Sequence, residues 1–284
     1  MINFAHFADT HLNREGKETF LNADVLKNFE AAIDSLKPMT DTLDFIVITG
    51  DVVHEGDVED YRFLRELVRH TEEKLNTSVF LTLGNHDNRE SFFEGYLNQP
   101  SRTGYFESHN IRGLRLILLD TKQGEHTVTG KLTKEQLDWL KDELQTPAKL
   151  GTIIALHHPP DSATMPDHCL ENPEFLREII AGTDVIGILS GHTHGTDQHI
   201  FSDRVQSVTA ASTAFSFFME NQYIHMTDRC SYTLGTVTSE GKMHVTNVQL
   251  PKEEKTLASF SFAEMQKMLS DEFDPSQYKD KKGA

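Results

Sequence analysis

Six short apolar runs, each closed at once by a glycine or a polar residue, set the terms on which this chain can fold. They are INFAHFAD (2–9), DFIVITGD (44–51), VFLTLGNHD (79–87), LRLILLDT (114–121), TIIALHHPP (152–160) and DVIGILSGHTH (184–194). Each is short for a helix and rich in Val, Ile, Leu and Phe, the composition of strands covered on both faces. Between them lie segments with helical spacing. Leu26, Phe29, Ile33 and Leu36 share one face, as do Tyr61, Leu64, Leu67 and Val68. Thr133 with Gln136 reads as a capping box ahead of the stripe Leu137, Leu140 and Leu144. Asn172 followed by Pro173 opens a further helix through Phe175, Leu176, Ile179 and Ile180. Strand alternating with helix specifies an α/β layered fold.

The polar residues fall at the strand ends. Asp9 and His11, Asp51, Asn85 and His86, His157, and finally His192 and His194 all follow directly on apolar runs. Loops at the carboxyl ends of strands form the ligand crevice of an α/β sheet, so five segments deliver these side chains to one place. Imidazoles and carboxylates without a thiolate make a nitrogen and oxygen shell suited to Mn, Fe, Zn or Co. Asp9, His11, Asp51, Asn85, His157, His192 and His194 are too many for one ion that must also take substrate. They suffice for two ions sharing a carboxylate, an arrangement that would clamp the attacking and leaving oxygens of an in-line displacement.

Together, D-x-H at Asp9–His11, GD at Gly50–Asp51, GNHD at Gly84–Asp87, HHPP at His157–Pro160 and GHTH at Gly191–His194 resemble the calcineurin-like metallophosphoesterase superfamily. The closer resemblance is to the bacterial class III cyclic-nucleotide phosphodiesterases and their glycerophosphodiesterase relatives. The resemblance spans roughly 1–250 and implies a four-layer αββα sandwich of two mixed β-sheets flanked by helices. It implies that Asp9, His11 and His194 hold one ion, that Asn85, His157 and His192 hold the other, that Asp51 bridges them, and that His86 is the catalytic histidine. The expected activity is hydrolysis of a small phosphodiester, 3',5'-cyclic AMP first, by hydroxide attacking phosphorus in line. Glycerophosphodiesters and phosphomonoesters are alternatives, and a nuclease or a non-catalytic scaffold more distant ones. Asp87 and Asp120 read as turn residues, and His158 as a support to the ligands.

A net charge of −17 gives no basic track for a nucleic-acid polymer. Two cysteines, Cys169 and Cys230, allow one disulfide at most, and no run is long and apolar enough to span a membrane. The opening MINFAHFADTH is strand-like, with no signal-peptide pattern, so a cytoplasmic enzyme is expected. His54, Phe215 and His225 are candidate substrate contacts. Phe215, Phe217, Phe218, Met219 and Tyr223 could wall a nucleobase pocket, pack in the core, or join two copies as a homodimer. The catalytic domain is read as 1–250, with 195–235 as a cap or dimerisation segment. Around the turn Ser239–Lys242 two strands are expected at an edge of the second sheet. In 251–284 an amphipathic helix on Phe262, Met265, Met268 and Leu269 is expected ahead of a charged tail.

Overall fold

The computed structural model describes residues 1–264 except 125, 126, 252 and 262. In chain order the elements are β1 (Ile2–Phe7), α1 (Val25–Ser35), β2 (Phe45–Thr49), α2 (Val58–Leu75), β3 (Ser78–Thr82) and α3 (Arg89–Ser91), which runs on as a π-helical stretch, Phe92–Leu97. They continue as β4 (Glu107–Ile111), β5 (Leu114–Leu118), α4 (Lys134–Glu143), β6 (Thr152–Ala155), α5 (Pro173–Ile180) and β7 (Val185–Ser190). The last are β8 (Asp197–Ser202), β9 (Val205–Thr209), β10 (Ser216–Glu220), β11 (Tyr223–Thr227), β12 (Ser231–Val237), β13 (Met243–Gln249) and β14 (Thr256–Ser261). All six apolar runs are strands, and the four expected helices are present.

Two mixed sheets form the centre, one in the order β13-β12-β1-β2-β3 and one in the order β4-β5-β6-β7-β9-β8. Side-chain alternation along the strands sorts the layers. From the second sheet Leu114, Leu116, Leu118, Ile153 and Ala155 turn inward, into one core with Phe4, Phe45 and Val47 of the first. The intervening Ile117, Ile154 and Ile188 turn outward, onto Leu140 of α4 and Leu176 and Ile180 of α5. Phe29 and Ile33 of α1 and Tyr61, Leu64 and Val68 of α2 cover the other outer face. This is the four-layer αββα sandwich.

Several local expectations are corrected by packing. Thr133 caps α4 by accepting from the Gln136 N–H, but the Gln136 side chain does not complete the box. It brackets Asp120 instead, donating to its carbonyl at 2.8 Å and accepting from its N–H at 2.9 Å. The hairpin around Ser239–Lys242 pairs β12 with β1, so it joins the first sheet. Of the expected cap segment 195–235, β8 and β9 complete the second sheet and β12 lies in the first. Only β10 and β11 stand apart, in a three-stranded sheet with β14. Thr256–Ser261, just before the expected C-terminal helix, is thus a strand. The helix itself, at Phe262, Met265, Met268 and Leu269, lies outside the described residues. No helix among the described residues is long and apolar enough to cross a membrane.

Candidate metal centre

Asp9, His11, Asp51, Asn85, His157, His192 and His194 meet beyond the C-terminal ends of β1, β2, β3, β6 and β7. Sharp turns bring them there. Asp9, His11, Asp51, His192 and His194 have φ of 51°, 43°, 47°, 72° and 55°. Non-glycine residues are uncommon in this left-handed region, where Asp and His are among the better tolerated, and each costs on the order of 1–3 kcal/mol that its surroundings must offset. Those surroundings are dense in hydrogen bonds. The N–H groups of Asp9, His11 and Leu12 donate to the carbonyls of Gly50, Asp51 and Val52 at 3.2, 2.8 and 2.9 Å, so the loop after β1 runs on beside the loop after β2. Both carboxylate oxygens of Asp9 accept from the His192 N–H, at 3.0 and 2.9 Å, which ties the end of β1 to the end of β7.

The glycines that precede three of the candidate ligands have a steric reason. A Cβ on Gly50 would come within 2.4 Å of the His157 ring, one on Gly84 within 2.2 Å of Asp51 Oδ1, and one on Gly191 within 2.6 Å of Asp9 Oδ2. Each glycine leaves room for a candidate ligand carried by another strand.

Backbone carbonyls fix the imidazole tautomers. His157 Nδ1–H donates to Thr49 O at 2.9 Å, His192 Nε2–H to Val128 O at 2.9 Å and His194 Nδ1–H to Phe215 O at 3.0 Å. The opposite nitrogen of each ring is therefore a bare lone pair. These lone pairs converge. His157 Nε2 is 3.2 Å from His192 Nδ1 and 3.0 Å from Asn85 Oδ1, three acceptors with no proton among them. His194 Nε2 lies 3.2 Å from His11 Nε2 and 3.5 Å from Asp9 Oδ1. Between the two groups stands Asp51. Its Oδ1 accepts from the His86 N–H at 2.9 Å, while its Oδ2 is 3.8 Å from His11 Nε2 and 3.5 Å from His157 Nε2.

Burial lowers the pKa of His157, takes His11 and His192 well below the usual imidazole range and His194 to about 4, so the rings are neutral near pH 7. Burial also pushes the Asp9 carboxyl well above the usual carboxylate range, and the Asp51 charge adds to the effect. A dry cluster of carboxylates and lone pairs lacks positive charge, and divalent ions supply it. The donor set fits such ions.

The sequence model of the calcineurin-like phosphoesterase family matches residues 2–196. The chain belongs to that family. It is 31% identical over 217 residues to a probable cyclic nucleotide phosphodiesterase of Rhodococcus erythropolis, covering 74% of this chain and 70% of that protein. It is 35% identical over 214 residues to a cAMP/cGMP dual specificity phosphodiesterase of Mycobacterium tuberculosis, covering 73% of this chain and 66% of that one. Among solved structures, a dimetal phosphatase from Danio rerio aligns with a TM-score of 0.53 at 17% identity, over 79% of this chain and 95% of that one, a likeness of fold. Calcineurin-like phosphoesterases use divalent metal ions, and this chain is a metal-dependent phosphoric ester hydrolase.

Around the candidate metal centre of this calcineurin-like phosphoesterase the remaining candidates separate. His86 stands at the mouth, its side chain 34% exposed and its Nδ1 3.7 Å from Glu55 Oε1. His54, a candidate substrate contact by sequence, is packed behind His11, with the two Nδ1 atoms 3.0 Å apart. Phe215 is 3% exposed and stacks on His11, so its ring backs the candidate ligands and leaves no face for substrate. Strand alternation turns Phe217 toward His194, with ring centroids 5.2 Å apart, and Phe218 to the opposite face, where it stacks on His225. His225, bonded there to Ser259, is therefore directed away from the centre. Asp87 does more than cap a turn: it accepts from the N–H groups of Val52, Val53 and Gly84 and from the Tyr61 hydroxyl, locking the loops after β2 and β3 together. His158 Nδ1 is 2.8 Å from Thr121 Oγ1, and its ring lies 4.5 Å from that of His192. Asp120 holds a turn, accepting from Arg89, Tyr105 and Lys122. The sequence reading missed Lys122, which donates to the Asn85 carbonyl, and Phe20, which lies against His54. Neither sits in a motif.

Proposed function

We propose that this phosphoesterase hydrolyses a small phosphodiester, with 3',5'-cyclic AMP the first candidate, using two divalent ions. Asp9, His11 and His194 would hold one, Asn85, His157 and His192 the other, and Asp51 would be shared. The observation that carries the reading is the free Oδ2 of Asp51, at 3.8 and 3.5 Å from one imidazole nitrogen of each group. When bound, two such ions supply a hydroxide nucleophile near neutral pH and neutralise charge at phosphorus.

The protein's own residues do the rest. Burial opposes the charging of His86, but the Asp51 and Glu55 carboxylates outweigh it and raise the His86 pKa above the ordinary value. Cations on Asp51 would cancel its share, and Glu55, 3.7 Å from His86 Nδ1, is the carboxylate left to pair with a protonated His86. A protonated His86 at the mouth donates its proton to the departing alkoxide, which leaves poorly as a bare anion. The half-buried Phe20 and the 37% exposed Phe217 offer aromatic surface beside His54 and His194, suited to stacking a nucleobase. The two relatives named for cyclic-nucleotide hydrolysis support the same substrate class. The net charge of −17 favours a small ester over a polymer.

The test is kcat/KM of the Mn-reconstituted protein for 3',5'-cyclic AMP against glycerophosphoethanolamine, with Asp51→Asn as the blank. A preference for cyclic AMP that vanishes in the variant is expected. Turnover of a nitrophenyl diester with neither natural ester would remove cyclic AMP as the substrate and leave the metal chemistry standing.

A further inference from the structure

Lys122 lies in the loop after β5, and the chemistry proposed above makes no use of it. Its ammonium donates to the backbone carbonyl of Asn85 at 2.8 Å, while the Asn85 side chain faces His157. Its charge is felt at Asp51, His157 and His158, which places it beside the second group of ligands. The other nearby cations are committed: Arg89 Nε is 2.9 Å from Asp120 Oδ2, and Lys17 Nζ is 2.6 Å from Asp60 Oδ2. Among the described residues no carboxylate lies within salt-bridge distance of Lys122. One acceptor for three N–H groups leaves donors to spare.

The loop is also fixed in advance. Asp120 accepts from the Lys122 N–H at 3.0 Å, Arg89 donates to the Lys122 carbonyl at 2.9 Å, and Gln136 brackets Asp120 from α4. A half-buried ammonium on a tethered backbone, next to a centre that processes an anion, is placed to bind that anion.

We infer that Lys122 is a phosphate-binding residue, its ammonium taking a non-bridging oxygen of the substrate's phosphoryl group beside Asn85 and His157. The inference rests on the dinuclear phosphoesterase reading. A monoester product and orthophosphate present the same oxygens with more charge, so Lys122 strengthens their binding too.

Two variants separate charge from positioning. Lys122→Gln keeps a donor for the Asn85 carbonyl and removes the charge, whereas Lys122→Met removes both. In the Mn-loaded enzyme, each should lose about 10- to 100-fold in orthophosphate affinity by calorimetry, the effect of one charge-assisted hydrogen bond. kcat/KM for bis(4-nitrophenyl) phosphate should fall in parallel, elemental analysis should still find two metals per chain, and Lys122→Arg should recover part of the loss. Wild-type phosphate affinity in Lys122→Gln, with loss of one metal in Lys122→Met, would mean that Lys122 only positions Asn85 and would overturn the inference. So would unchanged phosphate affinity in both. A wild-type protein that took up neither two metals nor orthophosphate would instead overturn the underlying reading.

Discussion

Replacing His54 with leucine probes how far the first group of ligands depends on the residue behind it. His11 Nδ1 and His54 Nδ1 are 3.0 Å apart, so a single proton lies between them. For His11 to present a bare Nε2 to His194 and Asp51, its own Nδ1–H must donate to His54. Burial lowers the His54 pKa to about 4, which keeps that ring neutral and able to accept. Leucine removes the acceptor. His11, 2% exposed, is then left with an unpaired N–H or with the tautomer whose proton blocks Nε2. Losing such a supporting partner costs about 10- to 100-fold in metal affinity, or about 1.4–2.7 kcal/mol at roughly 1.36 kcal/mol per tenfold. Chelator competition followed by metal analysis should resolve two release steps. In His54→Leu only the ion held by Asp9, His11 and His194 should be weakened, and His54→Gln, which retains an acceptor, should recover much of the loss. Equal weakening of both steps, or of neither, would refute the tautomer argument.

Two further outcomes are expected. Gly84→Ala places a methyl 2.2 Å from Asp51 Oδ1 and 2.4 Å from Asp51 N, so it should weaken both metals together and cost about 1–3 kcal/mol of stability from overpacking; two tightly held metals in this variant would show that the loop yields. His6 is fully buried, with Nε2 2.9 Å from Thr49 Oγ1, and burial lowers its pKa to about 3. Because the unfolded chain titrates near 6.5, it takes up the proton first as the pH falls, so stability is full above about pH 6.5 and declines below it. From about pH 7 to about pH 5 the loss from this one group is about 2 kcal/mol. Urea titrations of the metal-free protein should show His6→Leu losing about that much pH dependence, and an undiminished dependence would contradict the assignment.

The sequence by itself determined the elements and the ring of polar residues at their ends. Apolar runs of strand length and helical stripes such as Leu26, Phe29, Ile33 and Leu36 are local patterns, set by the periods of strand and helix. The glycines before Asp51, Asn85 and His192 were legible as the close of their apolar runs, though not as clearance for side chains on other strands. Tertiary structure alone decided which nitrogen of each ring is bare, because the deciding carbonyls are remote in the chain: Thr49 is 108 residues from His157. It decided that Asp87 joins two loops, that Phe215 packs behind the candidate ligands and that His225 points away, since the face a strand presents depends on the register of its partners. It also brought Lys122 to Asn85, 37 residues distant. A lysine after a strand carries no signal of its own, and its role arises only from what the folded chain sets beside it.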